Sequence, residues 1–162
     1  MRSVLRIPKQ MPGCVLHISG DDFRVDDFLS GSELQPYRVH HRGEVGRRSR
    51  VHTDSGFSLG VSDADGDLCK EIEDAIKFLN TNEPELRRLR DFPGVTDLRL
   101  DFGLYFRNVA AQFDYLPPDL LASAGNLGIG IELSLYAASE PETPGAEQDA
   151  ADRRRGNAGS EV

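Results

Sequence analysis

Apolar and polar residues alternate most regularly over residues 95–106. There Leu98, Leu100, Phe102, Leu104 and Phe106 fall on one face, and Asp97, Arg99, Asp101, Gly103 and Tyr105 on the other. A period of two marks a strand with one buried and one wet face. The same spacing recurs over 14–18 (Cys14, Leu16, Ile18) and 56–62 (Phe57, Leu59, Val61). It closes the chain's ordered part over 129–136, with Ile129, Ile131, Leu133 and Leu135 inward and Glu132, Ser134 and Tyr136 outward. Residues 35–41 read as a weaker strand whose Pro36 suits an edge or a strand start.

Between these runs the period changes to that of a helix. Val25, Phe28 and Leu29 stand at i, i+3 and i+4, behind a Gly20-Asp21-Asp22 segment that offers cap chemistry, and Gly31 is a stop. Leu68, Ile72, Ala75, Ile76 and Leu79 form the strongest stripe, with Asp65, Asp67 and Glu71 placed to favour the positive N-terminal end. Residues 80–83 break it. Pro84 then opens a helix carrying Leu86 and Leu89, Pro93-Gly94 makes a turn, and Pro117-Pro118 opens a last helix ended by Gly125.

The order β-α-β-β-α-α-β-α-β predicts an α+β fold. Its expected form is an antiparallel or mixed five-stranded sheet with helices mainly on one face, ferredoxin-like in kind and extended by a helix and a strand. Residues 1–12 are expected to be a loose N-terminal segment and 13–138 a single domain. Residues 139–162 hold no aromatic side chain and almost nothing apolar, so they bury too little to offset ordering entropy and are expected to be a disordered tail.

The segments VLHISGDDF, VDDFLS, LQPYRV with the following RGE, LRLDFGLYF and LPPDLLASAGNLGIGIELSLY, in this order and spacing, carry a resemblance. The chain is similar to the bacterial domain of unknown function 4279 family over residues 13–137. That resemblance implies an α+β fold and no established activity, and it supplies no functional residues.

Composition narrows the function classes. A chain of 162 residues is one domain by length, large enough for a core without disulfides. The formal charge of −8 opposes binding to nucleic acid or to an anionic membrane, both of which need positive charge. Two cysteines, Cys14 and Cys69, are too few for a disulfide framework and show no C-x-x-C spacing. The N-terminal residues lack the sustained apolar run of a secretory signal, and no stretch reaches the roughly 18 apolar residues of a membrane span. A cytoplasmic location is the expectation.

The candidate chemistry is sparse. Asp63-Ala-Asp65-Gly-Asp67 begins like a calcium loop, but Leu68 and Asp74 occupy positions that demand glycine and glutamate, so a turn and helix cap explain it. His40, His41 and His52 cluster in sequence without metal-ligand spacing, and adjacent strand residues point to opposite faces. No metal, cofactor or catalytic set is predicted. Gly125, Gly128 and Gly130 precede a strand and give no phosphate cradle.

Two features stand out. Between residues 38 and 52 five arginines (38, 42, 47, 48 and 50) face one acid, Glu44, a local charge of +4 against −8 for the whole chain. Arginine's planar fork suits carboxylates and phosphates, so Arg42, Arg47, Arg48 and Arg50, with His40 and His52, are the candidate binding residues. The outward strand residues Arg99, Asp101, Tyr105, Glu132 and Tyr136 are a second, interface-like candidate. The leading expectation is a non-enzymatic domain that binds another protein, immunity-type toxin neutralisation being one concrete form. The alternative is a small enzyme or ligand-binding domain holding an anionic substrate at the arginine-rich loop. A homodimer through the open sheet face or the 35–41 edge is a third arrangement.

Overall fold

The computed structural model describes residues 13–46, 49–64 and 66–137. The expectations for residues 1–12 and for the tail from 139 onward lie outside those residues. Five strands form one sheet: β1 (Cys14–Gly20), β2 (Arg38–His40), β3 (Ser55–Ser62), β4 (Asp97–Tyr105) and β5 (Gly130–Tyr136), in the order β2-β3-β1-β4-β5. The helices are α1 (Val25–Leu29), α2 (Leu68–Thr81), α3 (Glu83–Arg90) and α4 (Pro118–Asn126). The first three strand pairings are antiparallel, whereas β4 and β5, joined through α4, run parallel. The sheet is therefore mixed and the fold α+β.

Register explains the core. Leu16 of β1 stands beside Leu59 of β3 and Leu100 of β4, and Ile18 beside Phe57 and Leu98. These alternating side chains meet Val25 and Phe28 of α1, Ile72, Ala75 and Leu79 of α2, Leu86 and Leu89 of α3, and Leu120 and Ala124 of α4 in one buried cluster. All four helices thus cover the same face of the sheet. Each fully buried Leu, Ile or Phe contributes roughly 1.5–3 kcal/mol by leaving water. Phe23, Phe28, Phe57 and Phe92 add ring contacts with centroids 5.3–6.2 Å apart.

Polar anchoring holds the helix layer in place. The Arg88 guanidinium sits 4.0 Å over the Phe28 ring, donates to the carbonyls of Phe28 and Gly31, and pairs with Glu85, so α3 is tied to α1. Gly20 and Gly94 let two backbones cross: a Cβ on Gly20 would lie 1.8 Å from the Gly94 carbonyl oxygen, and Gly94 takes a φ of +87°.

Several local expectations are corrected. The N-cap of α1 is Arg24 and makes no side-chain cap bond; Asp21 and Asp22 stand earlier, in the turn that Phe23 closes by donating to the Gly20 carbonyl. The break after α2 is only Asn82, whose side chain turns back to the Phe78 carbonyl at 2.9 Å. β4 ends at Tyr105, leaving Phe106 exposed, and the edge position of β5 leaves Leu133 and Leu135 exposed although both face the helix side. Asp67 does cap α2, accepting from the Lys70 amide at 3.2 Å. Glu71, read as an acid that favours that helix end, is fully buried.

Candidate functional site

The arginine-rich segment between β2 and β3 is a second, smaller hairpin. Val45 and Val51 pair antiparallel, the Gly46 amide donates to the Arg50 carbonyl (2.7 Å), and the His52 amide donates to the Glu44 carbonyl (2.9 Å). The Gly43 amide returns the contact to the His52 carbonyl at 2.8 Å, in a left-handed turn at Gly43 with φ +86°. Backbone pairing, rather than side-chain packing, fixes this excursion and with it the direction of His52.

The hairpin folds back so that three donors meet. His40, at the end of β2, has Nε2 3.3 Å from Asp54 Oδ1. Its ring lies 4.5 Å from that of His52, tilted by 31°. One ligand atom each from His40, His52 and Asp54 lies within 4.8 Å of the others. One glycine makes room for His52: a Cβ on Gly46 would stand 2.5 Å from its Nε2, whereas one on Gly56 would meet the Ile18 carbonyl oxygen at 2.2 Å before the His40 ring at 2.8 Å. Partial burial holds the His40 pKa below the usual histidine value, with the His52 and Arg38 charges adding and Asp54 opposing. His40 is accordingly a neutral ring near pH 7.

Beside this trio an open concavity of about 600 Å³ is lined by Arg38, Gly46, Arg50, Val51, His52, Thr53 and Asp54. The predicted binding residues therefore separate. Arg50, His40 and His52 come together, joined by Arg38. Arg42 turns toward the start of α1 instead, donating to the Asp21 carbonyl at 3.3 Å with Asp22 at 4.0 Å. Arg47 and Arg48 lie outside the described residues. His41, the residue after β2 ends, pairs instead with Asp26 and Glu44, both at 3.1 Å. Asp54 carries no motif and gains its place only from the hairpin's return.

The second candidate set is collected by register. Asp101 stands beside Glu132, Tyr105 beside Tyr136, and Arg99 beside Gly130, but the Tyr105 ring lies against Gly66 ahead of α2. Arg99 spans to Asp97 (3.2 Å) and Glu132 (2.8 Å), an exposed cross-strand network. His17 donates to or accepts from Ser58 Oγ at 3.0 Å and stands 3.8 Å from Asp101. The other Asp101 oxygen is buried without a hydrogen-bond partner among the described residues.

The far margin of the sheet is different in character. A concavity of about 430 Å³ at the end of β4 is lined by Leu104, Tyr105, Phe113, Tyr115, Cys69 and Ile72, among others. Next to it the Phe106 amide donates to the Tyr136 carbonyl at 2.7 Å, which joins residues 106–115 to β5. Phe106, Val109, Phe113, Tyr115, Leu133, Leu135 and Tyr136 are all exposed there. Glu71 of α2 is fully buried, and neither carboxylate oxygen has a well-formed hydrogen bond among the described residues. Burial pushes its pKa up to about 7, the Asp67 and Asp101 charges add, and the Gly66 backbone amide opposes.

Comparison with known proteins gives one finding. The family model described as "Domain of unknown function (DUF4279)" matches residues 9–138. No curated protein and no solved structure matches. No helix among the described residues is long and apolar enough to cross a membrane.

Proposed function

The chain belongs to the DUF4279 family, whose description assigns no activity, and from that premise we propose that it is a non-enzymatic domain that binds another protein along the free edge of β5. The observation that supports this reading is the concentration of exposed apolar side chains there. Leu133 and Leu135 are 42% and 58% exposed, and Phe113 and Tyr115 are 86% and 74% exposed. Such side chains scattered singly need no explanation, but a band of them continuous with an edge strand is the form of a contact surface. The edge offers backbone donors and acceptors to an extended segment, while Leu133, Leu135 and Tyr136 supply contact area. The net charge of −8 favours a basic partner, as neutralisation of a basic toxin would require. Two free cysteines, one of them exposed, agree with a reducing, cytoplasmic setting.

Affinity recovery from the native lysate at low salt, followed by a binding titration of the purified partner, tests this. The expected result is a stoichiometric basic partner that wild type retains and that a Leu133→Lys, Leu135→Glu double variant releases, with the variant's melting temperature unchanged. Failure to recover any stoichiometric partner, or equal retention by the double variant, overturns it.

A second reading, a small anionic ligand held at the arginine loop, is favoured by Arg38 and Arg50 converging on the concavity beside His52. Titration of metal-free protein with inorganic phosphate is expected to show binding that Arg50→Gln weakens. No binding in wild type removes this reading.

A further inference from the structure

We propose that His40, His52 and Asp54 form a binding site for one divalent transition-metal ion of the zinc type. Two imidazoles and one carboxylate are a donor set that zinc and its neighbours take and that calcium and magnesium, which need oxygen cages, do not. Zinc held at about 2.0–2.2 Å from each donor in tetrahedral geometry requires donor atoms about 3.3 Å apart. The His40–Asp54 pair already stands at 3.3 Å, and the third donor lies inside a 4.8 Å triangle that small side-chain rotations close.

The arrangement is built rather than accidental in two respects. The donors come from separate places, the end of β2 and the return arm of the hairpin, and are held by backbone pairing on both sides. Glycine stands where a side chain would push the His52 imidazole out, at Gly46, while Gly56 is demanded first by the Ile18 carbonyl of β1 and only then by the His40 ring. Three protein donors leave a coordination position open toward the concavity. The Arg38 and Arg50 charges oppose a cation, but both side chains are exposed and screened by solvent. The inference is independent of protein binding at β5. It deepens the anion reading, because an anion completing the metal's coordination would meet those arginines, yet the two stand or fall apart. Zinc in phosphate-free buffer tests the histidines, whereas phosphate with metal-free protein tests the arginines.

The experiment is calorimetric titration of the metal-free full chain with zinc chloride, paired with the visible absorption of the cobalt(II) complex. One ion per chain is expected. His52→Ala and Asp54→Asn are each expected to weaken binding by more than about 100-fold, since even partners behind a ligand are worth 10–100-fold. His41→Ala and Cys69→Ser are expected to leave it unchanged, because His41 is engaged by Asp26 and Glu44, and Cys69, though exposed, stands at the start of α2. Unchanged thermal melts of the His52 and Asp54 variants separate loss of a ligand from loss of the fold. Failure of wild type to bind zinc, binding unaffected by His52→Ala, or binding abolished by Cys69→Ser would each overturn the proposal.

Discussion

The two margins of the sheet differ in how many of their exposed polar groups are tied to one another. On the β2–β3 side the polar groups are held by partners, the hairpin pairing with itself, Arg42 with Asp22, His41 with Asp26 and Glu44, and His40 with Asp54, although Tyr37, Val39, Val45 and Val51 are exposed beside them. On the β5 side an edge strand and residues 106–115 present apolar side chains to solvent. Polar groups locked by hydrogen bonds define direction and suit a small ligand or an ion. An apolar edge whose outer side meets no strand among the described residues defines area and suits a macromolecule. One small domain thus carries two surfaces of different chemistry, separated by β1 and β4.

The sharpest way to break that contrast is to compare packing on the two sides. Phe57 of β3 is buried and stacks on Phe28, so Phe57→Ala is expected to cost about 3–5 kcal/mol in chemical denaturation. Leu135→Ala at the opposite margin is expected to cost less than about 1 kcal/mol, because the side chain is largely in water already. Equal costs would mean that the β5 edge is a packed surface and not a free one.

The next effect belongs to Glu71. Its carboxyl is raised from 4.5 to about 7 by burial, so between those values the folded chain binds more protons than the unfolded one. Stability is then complete below the unfolded value and falls as pH rises through 7, by about 3 kcal/mol in all. Glu71→Gln is expected to flatten this slope in urea melts taken between about pH 5 and 8, and to exceed wild type at the upper end. Wild-type stability that rises across that range would show that a partner reaches the carboxylate. Asp74 works in the opposite sense, since the Lys70 and Ser62 hydrogen bonds lower its pKa and their support is lost on acidification.

Smaller effects sharpen the comparison further. Arg99→Ala removes two exposed ion pairs and is expected to cost only about 0.2–1 kcal/mol, falling toward zero in high salt. Gly46→Ala is expected to change stability by less than about 0.5 kcal/mol, because the added methyl meets only the far end of the His52 ring. It turns that ring outward all the same, and the chemical shifts of the His40 and His52 ring protons report it.

Much of this fold is legible in the residues. The order of nine elements follows from periods of two and of 3.6, because alternation such as Leu98-x-Leu100-x-Phe102 has only one buried solution. What periodicity does not register is coverage. Leu133 and Leu135 follow the inward pattern but lie at an edge that nothing described covers, and Glu71 reads as a helix-end acid although it is fully buried. The site was half legible for a related reason. His40 and His52 stand out by residue type, and His41, which follows the end of β2, pairs with Asp26 and Glu44. Asp54 was missed because a hairpin's return, set by the Val45–Val51 bridge, brings it to His40 over 14 residues. Arginine density predicted a single basic patch, whereas Arg42 is drawn toward Asp21 and Asp22 and leaves it.

The position of β1 has a consequence for how the chain is made. Among the described strands it is the first to be synthesised and the central one in the sheet, with neighbours that end at Ser62 and Tyr105. Its backbone groups can therefore be only half paired until most of the domain has been synthesised. A nascent chain stalled between those two points would hold a sticky, one-sided ribbon in need of shelter, and completion of β4 is the step that makes the young protein safe from its neighbours.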